Sequence, residues 1–326
     1  MVDRPCLSVV VPIYNEEGVI DELHRRLTGV IRDLGVTYEL VFVNDGSRDR
    51  SMPMLRELAA TDPHVKVIDF ARNFGHQIAI TAGMDHAQGE AVVVIDADLQ
   101  DPPEVIGQML EKWREGYDVV YAVREKRHGE TFFKTFTAAA FYRTLKRITN
   151  VDIPLDTGDF RLMSRPAIEA MKRFGERNRF VRGLVSWIGF RQTGITFVRA
   201  ERFAGETKYP LKKMVRFALD GIVSFSHFPL QLATYCGFAV SGLSFLGILW
   251  VLYQRIFAHD TIAGWASMMA IMLFLGGLQL ITLGIIGEYI GRIYDEVKQR
   301  PLYLVQEHLD RGSARESLPP PEVSQA

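Results

Sequence analysis

Two kinds of apolar pattern alternate along the first part of the chain. Residues 6–13 (CLSVVVPI), 38–43 (YELVFV), 65–70, 91–95 (AVVVI) and 118–123 are short, apolar and rich in β-branched side chains. Such runs are expected of strands covered on both faces. Between them lie stretches of helical spacing. Residues 16–34 set Val19, Ile20, Leu23, Leu27, Val30, Ile31 and Leu34 along one side. Residues 49–60, 75–87 and 103–115 continue the series, the last with a proline near its first turn. The pattern predicts an α/β fold, a mostly parallel sheet with helices on both faces.

After residue 124 the alternation weakens. Residues 131–148 mix Phe132, Phe133, Phe136, Phe141, Tyr142 and Leu145 with Lys134, Arg143, Lys146 and Arg147, and residues 211–225 are similar. Both read as basic amphipathic helices of a membrane interface. The alternative is a helix packed on the sheet with its basic face in water. Two apolar blocks follow, at 232–253 and 266–286. No Asp, Glu, Lys or Arg occurs between Asp220 and Arg255, or between Asp260 and Glu288. A span needs roughly 20 apolar residues, so two transmembrane helices are predicted, at about 232–254 and 265–287. Trp250, Tyr253, Trp265 and Tyr289 sit near their ends, where amphipathic rings favour the interface. The glycines of the second block suit close helix contact.

Basic residues flank the blocks: Arg202, Lys208, Lys212, Lys213 and Arg216 before, Arg292, Lys298 and Arg300 after. The positive-inside rule puts both flanks, and hence both termini, in the cytoplasm. No secretory leader is expected, because the first apolar run has only strand length. The expected organisation is a cytosolic domain at 1–210 and a juxtamembrane helix at 211–228. Two spans follow within 229–291, then a cytosolic tail at 292–326, disordered from about 312.

Composition narrows the classes. With 48% hydrophobic residues the chain is too apolar to be disordered. A formal net charge of −1 gives no support for nucleic-acid binding. Cys6 and Cys236 alone cannot make a disulfide scaffold, and reduced cysteines fit the cytosol.

In open parallel sheets ligands bind beyond the carboxyl ends of the strands. The polar groups gather there. Pro12, Tyr14, Asn15 and Glu16 mark the end of the first strand, and Asn44, Asp45 and Ser47 the second. Arg72 and Asn73 follow the third, Asp96, Asp98, Gln100 and Asp101 the fourth, and Arg124 and Arg127 the fifth. One such cluster alone reads as a helix cap; polar groups at every strand end read as a site. No G-x-G-x-x-G follows the first strand and no G-x-x-x-x-G-K-[ST] occurs. This excludes the dinucleotide-binding and P-loop readings. Asp96-Ala97-Asp98 instead sets two carboxylates past a strand, where they can hold a hard divalent cation.

The segments VVVPIYNEE, VNDGS, IDADLQDPP, TGDFRL and RFAGETKY, in this order, resemble the family 2 glycosyltransferases of GT-A, Rossmann-like fold. A catalytic domain followed by two spans is similar to the polyprenyl-phosphate glycosyltransferases. These include dolichyl-phosphate mannose synthases and, closer, bactoprenol (undecaprenyl-phosphate) glucosyltransferases. The resemblance covers roughly residues 5–307. It implies an inverting transfer from a UDP-sugar, glucose being the first choice, to a polyprenyl phosphate in a bacterial inner membrane, by a homo-oligomer, a tetramer in close family members. Other sugars stay open: N-acetylglucosamine, galactose, mannose or an amino-arabinose.

The resemblance also implies roles. Pro12, Tyr14, Glu16 and Asp45, with Asp96, frame the nucleotide. Asp96, Asp98 and Gln100 hold Mg2+ or Mn2+, which makes Asp98 catalytic. Asp159 stands near the acceptor as candidate general base. Arg202 and Lys208 bind the acceptor phosphate, and Arg124 and Arg127 assist the phosphates. A phosphate monoester has its second pKa near ~6 and is largely dianionic at neutral pH. Asp159 is therefore expected to orient groups more than to remove a proton. Two rivals remain. Processive polysaccharide synthases share the Asp-x-Asp region but usually carry Q-x-x-R-W, which this chain lacks. A non-catalytic membrane scaffold would not need the strand-end clusters.

Overall fold

The computed structural model describes residues 4–125, 157–177, 179–198, 228–253, 256–257 and 264–310. The expected amphipathic helices at 131–148 and 211–225 and the tail from 312 lie outside these residues. The described chain forms two compact units, one carrying the sheet and the other two long helices.

In the first unit the chain runs β1 (Leu7–Ile13), α1 (Ile20–Asp33), β2 (Tyr38–Asn44), α2 (Ser51–Thr61), β3 (Val65–Phe70), α3 (His76–His86), β4 (Ala91–Val94), α4 (Val105–Arg114) and β5 (Val119–Arg124). These elements match the predicted alternation. The first helix starts four residues late because Asn15 takes a left-handed conformation (φ 54°) and residues 15–17 form a loop. Every residue of β1, β2 and β4 is buried, as expected of strands with helices on both faces. Leu7, Val9, Val11 and Ile13 face Leu23, Leu27 and Ile31 of α1, Leu55 of α2 and Met109 of α4 in one core. Helix α3 covers the opposite face, where Gly83 lies directly against Val10. Each buried aliphatic side chain there is worth roughly 1.5–3 kcal/mol.

Five elements of this unit were not expected: β6 (Thr157–Ser164), α5 (Arg165–Lys172), α6 (Val181–Trp187), β7 (Gln192–Phe197) and β8 (Val305–Leu309). The eight strands form one sheet in the order β7-β5-β6-β4-β1-β2-β3-β8. Six strands share a direction, while β6 and β8 oppose their neighbours. Strand β8 comes from the segment expected to be a tail.

The inserted β6 has a consequence for the site. Arg161 pairs with Val94, and Thr157 with Val123. Because β6 is antiparallel, its first residues lie at the carboxyl edge of β4. Extending the register two places sets Asp159 opposite Asp96.

The second unit contains α7 (Phe228–Tyr253) and α8 (Trp265–Val297), which touch each other. Both are long and apolar enough to cross a membrane, over Leu230–Gly247 and Phe274–Val297. Helix α8 runs past its expected end at about 287. Its last turns are charged, and Arg292 Nε bonds Glu288 Oε1 one turn earlier at 3.2 Å.

Candidate active site

Three loops at the carboxyl edge are stitched together. Ser47 Oγ accepts from Asn15 N–H at 3.0 Å, Asn15 Oδ1 accepts from Arg48 N–H at 2.8 Å, and Ser51 Oγ accepts from Glu16 N–H at 2.9 Å. The β1 and β2 loops are thereby one body. Asp45 fixes the third loop: its carboxylate accepts Phe74 N–H at 2.6 Å and Gly75 N–H at 3.0 Å. Burial pushes the Asp45 carboxyl up, and those two amide bonds pull against it. Gly46 has φ +66°, and a Cβ there would lie 2.6 Å from Arg72 C and Asn73 N, so only glycine lets the loops meet.

Between these loops opens a cavity of about 430 Å3, lined among others by Tyr14, Asn44, Asp69, Arg72 and Gln306. On its floor Asn44 Nδ2 donates to Asp69 Oδ1 at 2.6 Å. Arg72 lies over the Phe74 ring at 4.0 Å.

Beside it, at the ends of β4 and β6, is a charged cluster. Asp159 is only 4% exposed, yet it is ionised. Burial opposes the charge, but the His76 hydrogen bond and the Arg182 charge hold its carboxyl well below the usual carboxylate range. Arg182 bonds both its oxygens, Gln77 Nε2 donates to Oδ2 at 3.2 Å, and His76 Nε2 lies 3.3 Å from Oδ2. The neighbouring Arg161 is buried too and donates to Gly158 O at 2.8 Å. Burial lowers its pKa to about 10, so it stays charged at neutral pH.

Asp96 answers to the same groups. His76 Nε2 is 3.5 Å from its Oδ1, an atom that is buried without a hydrogen bond. Burial raises the Asp96 carboxyl, and the Asp159 and Asp98 charges push it further in that direction, against His76. His76 itself is raised to about 9: burial disfavours its charge, but the Asp159 bond and the Asp96 and Asp159 charges prevail. One ligand atom each from His76, Asp96 and Asp159 lies within 4.8 Å of the others. A buried, underbonded carboxylate oxygen among further carboxylates is a donor set suited to a hard divalent cation.

The expected residues are distributed as follows. Asp45, Asp96 and Asp159 reach the carboxyl edge, and Tyr14 is exposed into the cavity. Glu16 lies in the stitched loop. Pro12 is buried within β1 opposite Val43, and its missing N–H costs no ladder bond to β4, whose pairing stops at Val10. Asp98 and Gln100 form the turn after β4, Asp98 Oδ1 accepting from Gln100 N–H at 3.2 Å. Leu99 between them is left-handed (φ 57°), held there by a buried side chain. Arg124 lies 3.9 Å from Asp101 and closes on Gly158, where a Cβ would stand 3.0 Å from its guanidinium. Arg127, Arg202 and Lys208 lie outside the described residues.

His76, Gln77, Arg161, Arg182 and Gln306 escaped sequence reasoning. His76 and Gln77 read as the start of a helix, and Arg182 as one basic residue among several in ERNRFVRG. Arg161 stands in the quoted TGDFRL, but nothing there marks it as buried.

The cavity and the acidic cluster both lie at the open carboxyl edge of the sheet, where folds of this kind bind their ligands. The chain belongs to glycosyl transferase family 2, whose model matches residues 8–171, and the GtrB C-terminal hairpin model matches residues 228–293. It is 63% identical, over 92% of its length and 93% of the relative's, to the uncharacterized glycosyltransferase YkcC of Bacillus subtilis. It is 43% identical to a prophage bactoprenol glucosyl transferase homolog of Escherichia coli, over 92% of this chain and 98% of that one. A bactoprenol glucosyl transferase of Shigella phage SfII is 44% identical over 92% and 97%. Among solved structures, a mannosyltransferase of Pyrobaculum calidifontis in complex with GDP-Man and Mn2+ is similar, at 19% identity and a TM-score of 0.45 over 90% of this chain and 88% of that one.

Proposed function

We propose that the chain is a membrane-anchored, inverting glucosyltransferase that moves glucose from UDP-glucose to a polyprenyl monophosphate of the undecaprenyl type. The observation that carries this reading is the 43–44% identity, along nearly the whole of both chains, to bactoprenol glucosyl transferases. The chemistry of the strand ends is in keeping with it. The cavity takes the nucleoside, and Asp96, Asp98 and Gln100 would hold Mg2+ or Mn2+ beside the diphosphate. That ion, when bound, neutralises the departing diphosphate as a Lewis acid.

Asp159, locked by Arg182, His76 and Gln77, is a poor proton acceptor and a good fixed charge. It positions these cationic groups around the place where the acceptor phosphate arrives. A dianionic phosphate needs no base, so positioning and charge stabilisation carry the rate. A single in-line attack on the anomeric carbon of an α-linked donor gives a β-linked lipid-phosphate glucose.

Helices α7 and α8 serve as the anchor in this reading. Basic flanks keep the sheet unit and both termini on the cytoplasmic side of the inner membrane, at the level of the lipid phosphate. Incubation of the purified chain with radiolabelled UDP-glucose and polyprenyl phosphate, with and without EDTA, tests the proposal. Label in a short lipid product that EDTA abolishes supports it. Label in polymer favours a processive synthase, and no label rejects the transferase reading. A donor panel with the same lipid decides the sugar.

A further inference from the structure

The donor cavity is walled by the loops after β1, β2 and β3 and, in addition, by one residue from far along the chain. Gln306 belongs to β8, which follows α8 after a seven-residue connection and pairs antiparallel with β3 at the edge of the sheet. The pairing is not regular. Asp69 stands opposite Glu307 and Phe70 opposite Val305, so Gln306 is the extra residue of a β-bulge. A bulge takes a side chain out of the strand's alternation and re-aims it. Glu307 points to α2, where Arg56 bonds it at 2.7 Å, and His308 packs on His86 of α3 with ring centroids 5.3 Å apart. Gln306 lines the cavity.

The strand is held firmly enough to present it. Leu304 O accepts from Ala71 N–H at 3.0 Å, and Tyr303 stacks on Phe70 at 5.2 Å while its hydroxyl donates to Asp85 Oδ2 at 3.1 Å. The other amides on the cavity wall are engaged: Asn44 has its nitrogen on Asp69 and its oxygen on Ser47 N–H at 3.3 Å, and Asn73 donates its Nδ2 to Asp45 O at 3.1 Å. Among the described residues none hydrogen-bonds the Gln306 amide.

We infer that Gln306 is a base-reading residue of the donor site, its side-chain amide pairing with the imide edge of the donor's uracil. The inference rests on the proposed UDP-sugar donor and adds to it a residue and a strand. An amide sets one donor and one acceptor side by side, the complement of the adjacent C=O and N–H of uracil. Gln306 on β8 stands four strand steps from β4, just past whose end Asp96 lies, about 19 Å at ~4.8 Å each. An extended nucleoside diphosphate spans most of that distance, with its base toward Gln306 and its phosphates toward Asp96, and the two side chains cover the remainder.

Calorimetric titration of UDP into the full-length chain in detergent, with Mn2+ present, tests the assignment. Gln306→Leu keeps the length and removes the amide. It is expected to weaken UDP two- to tenfold, roughly the worth of one or two hydrogen bonds. The donor KM rises in step, while kcat at saturating donor and the lipid KM stay at wild-type values. Glu307→Gln, on the same strand but turned to α2, is expected to bind UDP as wild type does. A wild-type chain that binds UDP while Gln306→Leu binds it equally well overturns this inference alone. Equal weakening by Glu307→Gln also overturns it, because strand docking rather than the amide is then being read. A wild-type chain that takes no UDP removes the donor reading beneath it.

Discussion

Arg182 holds Asp159 by both carboxylate oxygens, Nε to Oδ1 at 2.9 Å and a terminal nitrogen to Oδ2 at 3.2 Å. The planar fork of arginine makes this paired contact, and a lysine ammonium cannot span it. The two residues come from β6 and from the start of α6, so the contact also ties a helix to the strand that faces Asp96. Arg182→Lys keeps the charge and loses the geometry. It is expected to lower the transfer rate tenfold or more, since small misplacements at a reacting centre cost up to ~10²-fold. Arg182→Ala is expected to cost more in rate and about 1–3 kcal/mol in stability, because it strips charged hydrogen bonds from a buried carboxylate. Turnover of Arg182→Ala within threefold of wild type would take the residue out of the site.

The underbonded Asp96 oxygen gives a binding test that needs no turnover. A ligand that binds only the folded chain raises its melting temperature by mass action. Mn2+ is expected to shift the melt of the wild-type chain upward and to leave Asp96→Asn unshifted, with Asp98→Asn intermediate. Equal shifts in all three proteins would place the cation elsewhere.

The sheet and its edge were legible in sequence to different degrees. Strands β1 to β5 are written in local apolar runs, and the helices between them in a local 3.6-residue period. Strand β6 reads TGDFRLMS, and its buried Asp159 and Arg161 break the apolar run that would announce a strand. Such burial is tolerable only because the two charges meet each other, Arg182 and His76, which are tertiary facts. Strands β7 and β8 are edge strands with half-exposed, mixed sequences, QTGITF and VQEHL. The partner of β8 lies more than 230 positions earlier, so no local pattern could pair them. The site divides the same way. Asp45 and Asp96 follow recognisable strands, and Asp159 came from the family resemblance. Arg182 and Gln306 are brought in by the parts of the topology that periodicity does not reveal.

Gly46 offers a test of the stitched loops. A β-carbon there would press on the backbone of residues 72–73 at 2.6 Å, and φ +66° is unfavourable for any L side chain. Gly46→Ala is expected to lose about 1–3 kcal/mol of stability and to weaken UDP binding, because Ser47 and Arg72 border the cavity on either side of the clash. A melt and a UDP titration together check it. An unchanged melting temperature would mean that the two loops separate at no cost.

Strand β8 should make the fold sensitive to acid. Burial, reinforced by the neighbouring positive charge of His308, lowers His86 to about 4, and burial lowers His308 as well. Between about 4 and 6.5 the unfolded chain therefore takes up a proton that folded His86 refuses. The stability tied to neutral His86 is complete above pH 6.5 and declines as pH falls toward 4. In a series of melts across that window, His86→Phe is expected to fall less steeply than wild type. Parallel curves would show that His86 titrates normally in the folded chain.

The pH profile of transfer separates a base from a fixed charge at Asp159. A general base shows as an acid limb at its own pKa in the free enzyme. Asp159 is held well below the usual carboxylate range, so a limb due to it would lie below the pH at which such enzymes are assayed. A phosphate monoester acceptor loses its second proton near ~6, and only the dianion is a strong nucleophile. With polyprenyl phosphate as acceptor, kcat/KM is therefore expected to fall on the acid side with a midpoint near ~6. Asp159→Asn is expected to lower the whole profile by a factor of ten or more without moving that midpoint, since it removes an anchor for Arg182 and His76 and not the proton acceptor. A midpoint that disappears in Asp159→Asn would return the proton to Asp159.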